Sequence, residues 1–206
     1  EFLEVAEESG LLVPIGAEMM RRACQRLASL DGGVRMTFNV SQAELVANGF
    51  LDLLEACLDE FGVDPARLEL EVTETAAAAP QPESILREAQ ALGVRIAIDD
   101  FGIGYSSLAR LQRMPVDVLK VDRAFAAALS SPTRRSRDVA RAIMKSAVDI
   151  ASALGIQTLA EGIEDADQLA QVRSLGFDLA QGYHVATPAP EVTRHLRLVG
   201  PPPDPD

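Results

Sequence analysis

A parallel α/β fold follows from two features of the sequence. Short apolar runs of strand character alternate with helical patterns along the chain. Six such runs occur in 206 residues, each followed by a helical segment. Strands separated by helices pair in parallel, because each crossover returns the chain to the same end of the sheet. Two architectures remain open at this point: a doubly wound open sheet and a (β/α)8 barrel. No glycine-rich phosphate fingerprint follows the first strand, which weakens the dinucleotide-binding version. A barrel needs eight strands. The opening "EFLEVAEESGLLVP" reads as helix and turn, so the expectation is a barrel without its first two strands, cut from a longer protein.

The elements follow in order. "IGAEMMRRACQRLASL" (15–30) places Ile15, Met19, Ala23, Cys24 and Leu27 near one helical face. "GGVRMTFNV" is a turn and the first strand. "GFLDLLEACLDEFG" (49–62) is a helix that stops at Gly62. "RLELEVTE" (67–74) is the second strand, and "PESILREAQALG" (82–93) the next helix. "VRIAIDD" is the third strand and "YSSLARLQRM" a short helix. "VDVLKVD" (116–122) is the fourth strand. Over 137–154, Val139, Ala142, Ile143, Ser146, Ala147, Ile150, Ala151 and Leu154 recur at helical spacing. "IQTLAE" is a strand, "DADQLAQVRSLG" a helix and "FDLAQGY" the sixth strand. "APEVTRHLRLV" reads as a last helix. Residues 1–198 make the domain, and 199–206 a frayed tail.

Composition narrows the function. At 48% hydrophobic residues the chain can bury a sizeable core. No run approaches the roughly 18–20 apolar residues of a membrane span. The formal net charge of -12 disfavours DNA, RNA and anionic membranes as partners. Cys24 and Cys57 lie in apolar helical patterns and read as buried thiols, which fits a reducing cytoplasm. "SSPTRRSRDVARAIMK" (130–145) reads as a solvated helix start.

The chemistry sits at the strand ends. Asn39 follows "RMTF". Glu71 and Glu74 close the second strand, and Asp99 and Asp100 the third. Lys120 and Asp122 close the fourth, Glu161 and Glu164 follow the fifth, and Gln181 ends the sixth. In a parallel barrel these ends share one face, where active sites sit. Two adjacent ionised carboxylates repel each other, and a divalent cation offsets that repulsion. His184 and His195 have no partner at ligand spacing, which argues against a zinc site with nitrogen or sulfur ligands. Carboxylate and amide oxygens suit Mg²⁺ or Mn²⁺, and several carboxylates around a shared Asp suit two such ions. That arrangement serves phosphate-ester hydrolysis.

At these residues the chain resembles the EAL domain of bacterial cyclic di-GMP phosphodiesterases. The matching stretches are "FNVS", "LELEVTET", "AIDDFGIGYSSL", "PVDVLKVDRAF", "LAEGIED" and "QGYHVATPAP", in family order. The resemblance implies a TIM-like (β/α)8 barrel that hydrolyses cyclic di-GMP to linear pGpG. It implies Asn39, Glu71, Asp99 and Asp100 as ligands of Mg²⁺ or Mn²⁺, Lys120 holding the attacking water and Glu161 as general base. Asp122, Glu164 and Gln181 would border the nucleotide, and Glu74 would anchor the loop after Asp100. It further implies a homodimer through the region near the Asp99–Ser107 loop and an upstream sensor or diguanylate cyclase-like domain. The Glu-Ala-Leu motif that names the family is not in the sequence, and Ile103 stands where a threonine or small residue is usual. Thr187 stands where a basic or small residue is common. The competing reading is a degenerate EAL domain that binds cyclic di-GMP without cutting it.

Overall fold

Strand and helix alternate in the computed structural model as the apolar pattern requires. Residues 5–6, 9–77, 80–102, 111–187 and 196–198 are described. They form two compact units, Glu1–Ile98 with Ala109–Val116, and Asp99–Leu108 with Asp117–Asp206.

The first unit begins with α1 (Leu12–Ala28), which leads to β1 (Met36–Asn39), a one-turn helix α2 (Gln42–Leu45) and α3 (Phe50–Phe61). Then come β2 (Leu68–Thr73), the short α4 (Glu74–Ala77), α5 (Pro80–Ala91) and β3 (Arg95–Phe101), which passes into the second unit after Ile98. Helix α1 buries Met20, Cys24 and Leu27 and packs on α3, which buries Phe50, Leu54, Cys57 and Leu58. Met19 was expected on the buried face but is 50% exposed. The stripe runs through Met20 instead, because Met20, Cys24 and Leu27 recur at four and three residues. Gly62 ends α3 in the left-handed conformation, as its place after the last apolar residue predicts. Arg67 closes the end of α1: its guanidinium donates to the carbonyls of Leu27, Leu30, Asp31 and Val34.

Strand β1 runs parallel to β2, with Asn39 beside Glu71. From Leu68 to Val72 every residue of β2 is buried, the mark of a parallel strand covered on both faces. Its alternation puts Glu69 and Glu71 on one side and Leu68, Leu70 and Val72 on the other. Glu69 is paired with Arg95 of β3 at 3.0 Å.

The second unit contains β4 (Val118–Val121), α6 (Arg123–Leu129), α7 (Arg134–Leu154), β5 (Gln157–Ala160), α8 (Ala166–Leu175), β6 (Leu179–Gln181) and β7 (Leu196–Leu198). Strands β4, β5 and β6 are parallel neighbours. Asp178 fastens β6 to β5: its carboxylate accepts from the amide and hydroxyl of Thr158 at 2.8 and 2.9 Å. On α7 the buried stripe is Ala140, Met144, Ala147 and Ala151. Val139 is 50% exposed, so the helix is turned by about one residue from the expected face. Small side chains at three of the four positions allow close approach to the strands beneath. The last helix is also corrected: Leu196–Leu198 is a strand, antiparallel to β6. Its apolar–basic–apolar order has the period of a strand. Residues 189–195, the tail 199–206 and residues 105–110 of the "YSSLARLQRM" segment lie outside the described residues.

The two cysteines are free and both fully buried between α1 and α3. Burial is the main cause that raises the Cys24 thiol from the usual 9.0 to about 11. In the fold Cys24 keeps its proton where the unfolded chain loses it. Its contribution to stability is therefore complete below pH 9 and lost as pH rises toward 11. Native protein at pH 8 should resist a thiol-alkylating reagent, urea should make both cysteines reactive, and the urea midpoint should fall between pH 9 and 11.

Candidate active site

The third strand ends in a backbone conformation that few residues accept. Asp100 has φ of 59°, in the left-handed region where a side chain costs about 1 kcal/mol or more. Aspartate tolerates it better than most residues, since its short polar side chain bonds locally. Here the amide of Asp100 donates to Oδ1 of the preceding Asp99 at 3.0 Å. The pair of aspartates is thus held by a local bond at the point where β3 turns.

Lys120 organises the site. It lies in β4 among Val118, Leu119 and Val121, all fully buried, and is itself only 3% exposed. An ammonium so placed must be paired, because desolvating it alone costs several kcal/mol. Nζ lies 3.0 Å from Oδ1 of Asp99 and 2.7 Å from Oε1 of Glu161. One cation thereby joins the ends of β3, β4 and β5.

Strand register explains which groups meet. Val121 is level with Ala160, and Ala160 with Ala180. The next residues, Asp122, Glu161 and Gln181, therefore form one row across three strand ends. Asp122 also caps α6, accepting from the amide of Ala124 at 2.8 Å. Burial raises the carboxyl of Asp100, and the charges of Asp99 and Asp122 add to it, against the opposing pull of Lys120. Burial likewise raises Glu161, with Lys120 acting the other way and Asp99 and Asp122 reinforcing the rise. The result is a half-buried cluster of carboxylates with one shared cation, in which Asp100 and Glu161 hold protons more firmly than free carboxyls do.

Two loops frame this row. After β5, the amide of Glu164 donates to Oε1 of the buried Gln168 at 2.7 Å, while Asp165 caps α8 by accepting from the Gln168 amide. The Asp165-x-x-Gln168 spacing is that of a capping pair, a signal the strand-end reading passed over. After β6, Gly182 lies against the backbone of Ile163: a β-carbon there would come 2.2 Å from the Ile163 nitrogen. Glycine lets Gln181 accept from Ile163 at 3.0 Å and Ile163 accept from His184 at 2.9 Å. Gln181, Tyr183 and His184 are exposed beyond it, as is Glu164.

The first unit carries the other predicted residues. Asn39 is exposed at the end of β1, and Glu71 is 7% exposed. Just past Asn39, Ser41 and Glu44 form a reciprocal capping box that fixes the chain's exit from β1. Oε2 of Glu74 is buried with no hydrogen-bond partner among the described residues. Thus Asp99, Asp100, Lys120, Asp122 and Glu161 stand together in the second unit, and Asn39 and Glu71 are side by side in the first. Ile103 and most of the loop to Ser107 lie outside the described residues, as does His195.

A parallel α/β frame with an acid–lysine cluster at its strand ends defines a class of proteins, and comparison identifies it. The EAL domain family matches residues 1–188, and the chain belongs to that family. It is 36% identical over 195 residues to the cyclic di-GMP phosphodiesterase NbdA of Pseudomonas aeruginosa, covering 92% of the chain and 24% of that protein. It is 31% identical to the cyclic di-GMP phosphodiesterase PdeR of Escherichia coli, covering 93% of the chain and 29% of that protein. A relative from Sinorhizobium fredii is 38% identical over 92% of the chain and 23% of its own length. The chain thus spans about a quarter of the length of these relatives. Among solved structures, the PaMucR phosphodiesterase in complex with c-di-GMP superposes with a TM-score of 0.85 at 35% identity, covering 92% of the chain and 77% of that one. Klebsiella pneumoniae BlrP1, solved with manganese and the cyclic dinucleotide, gives 0.73 at 29% identity, covering 83% and 43%. The fold is accordingly the EAL type of (β/α) barrel, as the family resemblance implied.

Two substitutions test this architecture. Lys120→Ala leaves Asp99 and Glu161 facing each other without a cation, and should lower stability by about 3–5 kcal/mol in urea unfolding. Gly182→Ala should drop the melting temperature strongly, because a fixed backbone blocks its β-carbon, whereas alanine at the exposed Tyr183 should leave it near wild type.

Proposed function

We propose that this chain is the hydrolytic domain of a cyclic di-GMP phosphodiesterase that cuts one phosphodiester bond to give linear pGpG. One observation carries the reading: the Lys120 ammonium bridging Asp99 and Glu161 at the strand ends. Two relatives named for the same activity support it.

The donor chemistry fits a divalent ion. Asp99 and Asp100 are hard carboxylate ligands, and Asn39 beside Glu71 offers an amide and a carboxylate oxygen. Burial pushes the Asp100 carboxyl up, and the charges of Asp99 and Asp122 add to it, a repulsion that a cation would relieve. Among the described residues no three His, Cys, Asp or Glu already converge on one point. Mg²⁺ or Mn²⁺ suits oxygen donors of this kind and would polarise the phosphate oxygens. Lys120 orients the attacking water. Glu161 takes its proton, and the raised affinity of its carboxylate for that proton suits the task. Water oxygen bonds to phosphorus as the ester oxygen departs. Asp122, Glu164 and Gln181 border the nucleotide, and Glu74 anchors the loop after Asp100. We further propose that two copies pair near that loop and that a sensor or cyclase-like domain controls the site. No helix among the described residues is long and apolar enough to cross a membrane.

Incubating the intact protein with cyclic di-GMP and Mn²⁺, and separating products by chromatography, tests the reading. Formation of pGpG is expected. Glu161→Gln should lower kcat about 10²–10⁴-fold with nucleotide binding retained, and Asp100→Asn should also lower turnover sharply. Wild-type protein that binds the nucleotide and never cuts it would instead establish a receptor.

A further inference from the structure

We infer that Arg123 is a substrate-binding residue, whose guanidinium takes a non-bridging phosphate oxygen of the cyclic dinucleotide at the rim of the site. This rests on the function proposed above and adds a contact to it.

Arg123 directly follows Asp122 and opens α6, so it stands beside the row formed by Asp122, Glu161 and Gln181. Its stem passes over Gly162, the residue after Glu161. A β-carbon on Gly162 would lie 2.3 Å from Cβ of Arg123, 3.0 Å from its Cα and 3.6 Å from its Cγ. Gly162 also has φ of 68°. The loop that presents Glu161 is thus shaped, in conformation and in size, to lie under the Arg123 stem. The arginine is held at the site rather than hanging from a distant helix.

The two cations of this region have different duties. Lys120 is buried and engaged by Asp99 and Glu161. Arg123 is exposed and has no ion pair among the described residues. Asp99, Asp100, Asp122 and Glu161 gather about Lys120, on a chain of net charge -12. A bis-phosphodiester meets repulsion from such a rim. An exposed guanidinium offsets it, because its planar fork matches two phosphate oxygens and is weakly hydrated. Charge at that position acts on encounter and ground-state binding more than on the bond-breaking step.

Steady-state hydrolysis by the intact protein, paired with calorimetric titration of cyclic di-GMP, decides the matter. Arg123→Ala should raise KM about tenfold and weaken nucleotide binding by the same factor, with kcat within about twofold of wild type. Arg123→Lys should recover part of the loss, and raising salt should weaken binding to wild type more than to Arg123→Ala. Matching thermal melts separate this from misfolding. Wild-type KM and affinity in Arg123→Ala, beside an active wild type, overturn the inference and leave the proposed function intact. A loss in kcat alone also overturns it. A wild type that neither binds nor cuts the nucleotide removes the proposed function and this contact together.

Discussion

The second unit is arranged around one buried ammonium. Lys120 sits in a strand whose other residues are apolar and fully buried, where an unpaired charge would be untenable. Asp99 must therefore arrive from β3 and Glu161 from the end of β5. Much of the surrounding geometry serves that meeting. Asp100 accepts a left-handed backbone next to Asp99. Gln168 and Asp165 hold the loop after Glu161. Gly182 lets the turn after β6 lie against Ile163. The groups of the Lys120 ion pairs and the proposed catalytic groups are the same, so stability and chemistry cannot be tuned independently here.

The strands and most helices were legible because their signals are local. Short apolar runs end at Gly62, Gly93, Gly155 and Gly176, and each of these glycines takes the positive φ that stops a helix or turns the chain. Polar residues at strand ends were legible for a related reason: parallel pairing puts those ends together whatever the exact register. The rotation of a helix about its own axis was less legible. Met19 and Val139 both fit an apolar stripe by spacing, yet both are exposed. Neighbouring stripes one residue apart differ only in which side chains fit the layer beneath, and on α7 the alanines won. Leu196–Leu198 followed the same logic in reverse, since three residues are too few to set a helical period against a strand's.

What the sequence hid most completely was the service done by small residues. Nothing in "LAEGIED" or "QGYHV" sets Gly162 and Gly182 apart from other glycines. Only the packing shows that the first makes room for the stem of Arg123 and the second for a backbone. A missing side chain leaves no periodic signal, and its partner is 39 residues away in the one case and 19 in the other.

The carboxylate cluster is costly by itself. Asp99, Asp100, Asp122 and Glu161 share one ammonium, and the two acids with shifted protons are both shifted toward the neutral form. Burial alone would raise them; their mutual repulsion raises them further. A fold selected for stability alone would relax this by placing an amide or an alcohol at one position, since an uncharged group of similar size removes the repulsion and keeps the hydrogen bond. The cluster instead keeps every carboxylate and adds left-handed strain at Asp100. Such a combination of strain and like charge is found where the cost is offset by a ligand. A divalent ion, as the proposed function requires, would answer both terms at once, neutralising the crowded charge and giving the strained aspartate an orientation to hold. The strain at Asp100 and the crowded charge around Lys120 are therefore the features of these few side chains that support the proposed metal-assisted hydrolysis, beside the family relationship.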